Sequence, residues 1–105
     1  MATNEILPKR TIFKPTVYVL ACRDGSLYTG ATGDLERRLS AHRRKKGAKY
    51  TRGRLPVALV AWWHPSSFGL AKSHEARFKR LSRAAKLGIL VSGKAYGCVV
   101  YRGQR

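Results

Sequence analysis

Five side chains have types and spacings suited to chemistry on a charged substrate: Tyr18, Tyr28, Arg38, His42 and Glu75. Tyr18 and Tyr28 flank the turn signal Asp24-Gly25, so a hairpin would carry their phenols toward one another. Taken alone, two such tyrosines are more simply cross-strand packing. Arg38 and His42 are four residues apart and share one helical face with Leu35 and Leu39. A guanidinium and an imidazole inside an apolar stripe are costly to bury unless they meet an anion or a hydrogen-bond partner. The plainer alternative is a snorkelling arginine beside a satisfied core histidine. Glu75 is one of five acids and stands among Lys72, His74, Arg77, Lys79 and Arg80. An i,i+4 ion pair with Lys79 accounts for it locally. A divalent cation is the reason to keep an acid on a surface that otherwise attracts anions.

These residues need elements to position them. Val17 to Cys22 is a short β-favouring run and Leu27 to Thr29 resumes extended chemistry after the turn, which predicts a β-hairpin. Asp34 is a natural N-cap, and Leu35, Leu39 and His42 recur at helical spacing through to Lys46. A basic loop follows between Gly47 and Gly53. Val57 to Trp63 then reads as a third strand buried on both faces. After Pro65-Ser66-Ser67, a second helix is expected from about Gly69 to Lys86, with Leu70, Ala71, His74, Phe78, Leu81 and Ala85 inward and Gly88 as its stop. The order ββαβα gives an α/β (α+β) fold, a small antiparallel sheet of about three strands flanked by helices. Residues 1–15 read as a flexible lead-in, 16–90 as the domain, and 91–105 as an extension in which Tyr96 to Tyr101 could add an edge strand.

Charge dominates the composition. Across 105 residues, 22 Lys plus Arg against 5 Asp plus Glu give a formal charge of +17, far beyond the roughly 2 to 8 that solubility asks of a small domain. Such a surface points to a polyanion, nucleic acid first, without separating DNA from RNA. Lys45, Lys46, Lys49, Arg52 and Arg54 are suited to tracking phosphates, and Tyr50 to stacking on an unpaired base. A solvated loop is the plainer account of the same residues. Cys22 and Cys98 form neither a CxxC pair nor a Cys/His cluster, so they are expected to be thiols in a reducing, cytoplasmic setting. No secretory leader or membrane-length apolar run is seen, and no membrane partner is expected.

The strings Val17-Tyr18-Val19-Leu20, Asp24-Gly25-Ser26-Leu27-Tyr28-Thr29-Gly30, Asp34-Leu35-Glu36-Arg37-Arg38-Leu39 and His42 resemble the GIY-YIG nuclease superfamily. Gly47 to Arg54, and His74-Glu75 with Lys79 to Arg83, are similar to its small stand-alone bacterial branch. The resemblance implies that Tyr18 and Tyr28 are the signature tyrosines, Arg38 the signature arginine, His42 the active-site histidine and Glu75 the metal-binding acid. It further implies a Mg²⁺- or Mn²⁺-dependent endonuclease that hydrolyses DNA, guided by DNA shape more than by sequence. On this reading one of the tyrosines, Tyr18 ahead of Tyr28, takes a proton from the attacking water, directly or through Tyr28 or His42, and a base role demands that Arg38 and the metal lower its pKa. The triads read Thr16-Val17-Tyr18 and Tyr28-Thr29-Gly30. Position 31 is Ala where some members carry lysine, and Asn4 is the only asparagine. A non-catalytic basic nucleic-acid-binding module, or a catalytic subunit that needs a protein partner, remain the competing readings.

Overall fold

The computed structural model describes residues 13–103; most of the proposed lead-in, and Asn4, lie outside them. Strand β1 (Thr16–Cys22) and strand β2 (Leu27–Thr32) form the expected hairpin. Its turn closes at Gly25, whose φ of 86° is a conformation that glycine adopts without strain. Asp24 braces the turn by accepting from the Ser26 amide at 3.0 Å. Helix α1 (Leu35–Arg43) starts on Asp34, whose carboxylate accepts from the Arg37 amide at 3.1 Å. Both features follow the sequence reading.

The basic segment departs from it. Instead of a plain loop it contains a single helical turn, α2 (Lys49–Arg52), which buries Thr51. Strand β3 (Val57–Trp63) then pairs antiparallel with β1. Val19 lies opposite Ala61 but Leu20 lies opposite Leu59, so Val60 is an extra residue in β3. A bulge of this kind reverses which face the following side chains take. Val57 and Leu59 therefore pack with Tyr18, Leu20 and Leu39 of α1, whereas Ala61 and Trp63 pack with Val17, Val19, Ala71 and Phe78. The strand serves two cores by halves, its intervening residues being only half-buried.

The expected second helix is two helices. Helix α3 (Phe68–Lys79) stops before Ser82, and α4 (Arg83–Ser92) begins there. The reason is local: Ser82 is extended and its hydroxyl accepts from the Ala85 amide at 3.1 Å, the geometry of an N-cap. The helical phase restarts, so Ala85 is exposed and Leu90 is buried instead. Leu70 is also largely exposed, while Ala71, His74 and Phe78 face inward as expected. Gly88 lies inside α4, and the stop is Gly93 in the left-handed region.

Beyond it, β4 (Lys94–Ala95) and β5 (Cys98–Val99) make a small hairpin across Tyr96-Gly97. The run 96–101 does not itself form the edge: β6 (Tyr101–Arg102) shares only Tyr101 with it and pairs with β3, giving a four-stranded sheet of order β2-β1-β3-β6, one strand more than expected. Phe13 meets Phe68 edge-on at 5.8 Å, and the Lys14 amide donates to the Gly33 carbonyl, so the last residues before β1 are packed on the domain. Among the described residues no helix is long and apolar enough to cross a membrane. Loss of the hydroxyl in Ser82→Ala should cost about 1 kcal/mol. Urea denaturation should show a lower midpoint with an unchanged slope.

Candidate active site

Three of the five chemical residues meet at one hydroxyl, and a fourth, Tyr28, packs beside them. Tyr18 opposes Gly30 across the hairpin and Tyr28 opposes Leu20, so the phenols are diagonal neighbours, ring centroids 6.4 Å apart. Helix α1 brings the other two. Arg38 Nε donates to the Tyr18 hydroxyl at 3.2 Å, and His42 Nε2 lies 2.9 Å from the same oxygen. The His42 ring also meets Tyr28 edge-on at 5.4 Å. Tyr18 and His42 are 1% and 0% exposed, so this is a buried polar cluster in which each member is satisfied by another.

Two glycines make the approach possible. A β-carbon at Gly30 would overlap the Tyr18 hydroxyl and ring, and one at Gly47 would overlap the His42 imidazole. Neither is needed for an unusual backbone angle; each is needed for its lack of a side chain. On the far side of His42, Nδ1 lies 2.8 Å from the Thr51 hydroxyl, which donates to the Ala48 carbonyl at 3.0 Å. Gly47 reads from the sequence only as the start of the basic loop, and Thr51 has no site role there. The only available signal was a small residue and a hydroxyl residue inside a run otherwise given to cations.

The electrostatics differ from the sequence expectation. A base role for Tyr18 asked Arg38 and a metal to lower its pKa; the Arg38 contact does lower it, but burial outweighs that contact and pushes the pKa up to about 12. Tyr18 is a neutral phenol in the free protein. Burial, helped by the Arg38 charge, lowers His42 to about 4, so its imidazole is neutral at pH 7. Arg38 is held firmly protonated because the Tyr18 oxygen accepts from it.

Glu75 lies in the middle of α3, only 9% exposed, and its charge is near enough to act on Tyr18. Its carboxylate is clasped by Lys72 at 3.2 Å and by Lys79 at 2.8 Å, so the local ion pair read from the sequence is present. The Lys79 ammonium in turn lies 5.9 Å from the Tyr28 ring centroid, which puts the pair beside the phenols. Among the described residues no three His, Cys, Asp or Glu side chains gather into a metal cage. One buried carboxylate fits a cation such as Mg²⁺ only in the open form, where waters and a substrate phosphate complete the shell.

The basic stretch divides in two. Lys45, Lys46, Lys49 and Arg52 are exposed. Tyr50 and Arg54 are instead engaged in the protein's own stack: Tyr50 lies over Tyr28 at 5.8 Å, and the Arg54 guanidinium lies 3.9 Å from the Tyr50 centroid. Arg54 also pairs with Asp24 at 2.9 Å. The two cysteines are free, and burial raises both thiols above their ordinary pKa.

The family model for the GIY-YIG catalytic domain matches residues 14–87, and the chain belongs to that family, whose superfamily consists of endonucleases acting on nucleic acid. Within it, the chain is similar to the UPF0213 proteins of bacteria. It is 52% identical over 77 residues to the UPF0213 protein of Streptococcus sanguinis, covering 73% of this chain and 88% of that one. It is 53% identical over 73 residues to the UPF0213 protein spr1390 of Streptococcus pneumoniae, covering 70% of this chain and 74% of that one. The solution NMR structure of the UPF0213 protein BH0048 from Bacillus halodurans superposes with a TM-score of 0.50 at 49% identity, covering 79% of this chain and 87% of that one.

Two outcomes test the geometry. Gly30→Ala should displace the Tyr18 ring and destabilise the fold by about 1 to 3 kcal/mol, measurable by thermal denaturation. The His42 ring should stay neutral down to about pH 4 when titrated by NMR. Because its folded pKa lies below the unfolded value of about 6.5, the unfolded chain binds the extra proton first. This stabilisation of about 3 kcal/mol is present above pH 6.5 and lost as pH falls toward 4.

Proposed function

We propose that the protein is a metal-dependent endonuclease that hydrolyses phosphodiester bonds in DNA, choosing its site by backbone shape. The observation that carries this reading is the convergence of Arg38 and His42 on the Tyr18 hydroxyl, beside the buried carboxylate of Glu75. The exposed Lys45, Lys46, Lys49 and Arg52 follow the backbone by charge, which carries no base information.

Arg38 spends its Nε–H on Tyr18, and its terminal N–H groups are suited to a non-bridging phosphate oxygen, where charge builds as water attacks. A phenol of pKa about 12 is a poor standing base. A relay avoids that difficulty: the Tyr18 oxygen takes a proton from the attacking water while its own proton passes to His42 Nε2. No phenolate accumulates. The bound phosphate offsets the Arg38 charge, one of the two causes that hold His42 low, and so makes the imidazole a better acceptor. Glu75 would hold the divalent cation, which supplies Lewis-acid stabilisation of the leaving oxygen.

The Lys72 and Lys79 pairs favour a second reading, a basic binding module in which Glu75 is structural. A nicking assay on supercoiled plasmid, and on branched, flapped and single-stranded DNA or RNA, separates the two. With Mg²⁺ the protein should cut, and chelator should stop it. Glu75→Gln should lower the rate at least about a hundredfold while binding DNA as tightly or more so, since it removes a negative charge. Equal binding by both proteins and cleavage by neither would select the binding module. Cleavage that appears only on adding cell extract would point to a partner.

A further inference from the structure

We propose that Thr51 is a positioning residue that fixes the tautomer of His42, holding the proton on Nδ1 so that Nε2 stays open to accept from Tyr18. This deepens the reading of the site as a nuclease and rests on it for its catalytic consequence.

The two ends of the hydrogen-bond chain reach the same conclusion separately. At one end, the Thr51 hydroxyl has a single hydrogen, and it is given to the Ala48 carbonyl at 3.0 Å. What remains at that oxygen are lone pairs, so the 2.8 Å contact to His42 Nδ1 needs the hydrogen on the ring. At the other end, the Tyr18 oxygen already accepts from Arg38 Nε. If His42 also donated to it from Nε2, the Tyr18 hydrogen would be left in a fully buried place without the imidazole as acceptor. A neutral imidazole has one N–H, and the partner of the opposite nitrogen decides where it sits. With the hydrogen on Nδ1, every donor in the chain has an acceptor: Arg38 to Tyr18, Tyr18 to His42, His42 to Thr51, Thr51 to Ala48.

The fold arranges this deliberately at short range. Thr51 is fully buried although its neighbours Tyr50 and Arg52 are exposed. The turn α2 exists within the basic segment, and Gly47 leaves the space in which the segment lies against the imidazole ring. The same segment carries the exposed Lys49 and Arg52 and stacks Tyr50 on Tyr28. Contacts to a polyanion and the direction of the proton chain are thus set by one piece of backbone. In the reaction, water gives a proton to the Tyr18 oxygen, the Tyr18 proton goes to His42 Nε2, and the imidazolium keeps its Nδ1–H on Thr51. The opposite tautomer has no lone pair facing Tyr18 and cannot take that proton.

The test is the protonation state of the two His42 nitrogens by ¹⁵N NMR on the whole protein at neutral pH without metal, with wild type, Thr51→Val and Thr51→Ser. Wild type should carry hydrogen on Nδ1 and a bare Nε2, and Thr51→Ser should keep that pattern. Thr51→Val, nearly equal in shape, should move hydrogen toward Nε2. In the plasmid assay its turnover should fall at least about tenfold with little change in KM, and the serine variant should recover most of it. Hydrogen on Nε2 in wild type would overturn the proposal without need of a variant. So would a valine variant with unchanged nitrogens and full activity. If the nitrogens respond as expected and no variant, wild type included, cuts any nucleic acid, the tautomer assignment stands and the nuclease reading falls.

Discussion

The structure turns on one buried oxygen. The Tyr18 hydroxyl sits inside the domain with a guanidinium on one side and an imidazole on the other. Leaving any of the three unpaired would cost on the order of 1 to 3 kcal/mol, more for the charged group. Much of the surrounding backbone is shaped by that requirement. Gly30 keeps β2 close enough for the ring to lie under it, and Gly47 lets the following segment close over His42. Asp34 sets the phase of α1 so that residues 38 and 42, one turn apart, both reach the strand. The bulge at Val60 is part of the same solution, because it keeps Val57 and Leu59 against the Tyr18 side while Ala61 and Trp63 fill the opposite core.

What could be read from the sequence is what a short period and a nearby punctuation mark determine together. Tyr18 and Tyr28 are placed by the alternation of a strand and by the Asp24-Gly25 turn. Arg38 and His42 are placed by the helical repeat counted from Asp34. The split between α3 and α4 was not legible for a physical reason: Leu81 continues the inward stripe three residues after Phe78, and a serine is tolerated within a helix. Whether Ser82 stays helical or caps depends on what the chain beyond it packs against, here Leu90 and Ile89 on the Trp63 core. Thr51 escaped notice because its importance comes from a side chain nine residues away across a non-periodic turn.

The pKa of Tyr18 is set by burial more than by charge. Nearby cations do lower a phenol, and Arg38 does so here, but the same packing that brings the guanidinium close removes water. Desolvation then dominates. A phenol held this high suits a relay that passes a proton along, which places the demand on its neighbour. Burial alone would leave His42 neutral and accepting, and the Arg38 charge adds to it. The low pKa that makes His42 a weak base in the free protein is also what keeps Nε2 unprotonated and available.

Acid placement explains why Glu75 stands apart on so basic a surface. Among the described residues, Asp24 braces a turn, Asp34 caps α1, and Glu36 lies in the first turn of α1 where the helix dipole favours it. Asp24 also holds Arg54, and each of the three has a turn, a cap or a helix end to account for it. Glu75 is mid-helix, where neither cap nor dipole asks for an acid, and it is the most buried of the four. Lys72 and Lys79 neutralise it, yet both ammonium groups are on long, exposed stems that can swing to a phosphate. On the proposed function, an arriving polyanion would compete for those lysines as it brought its own oxygens near the carboxylate. The ion pairs make a buried charge tolerable in the protein.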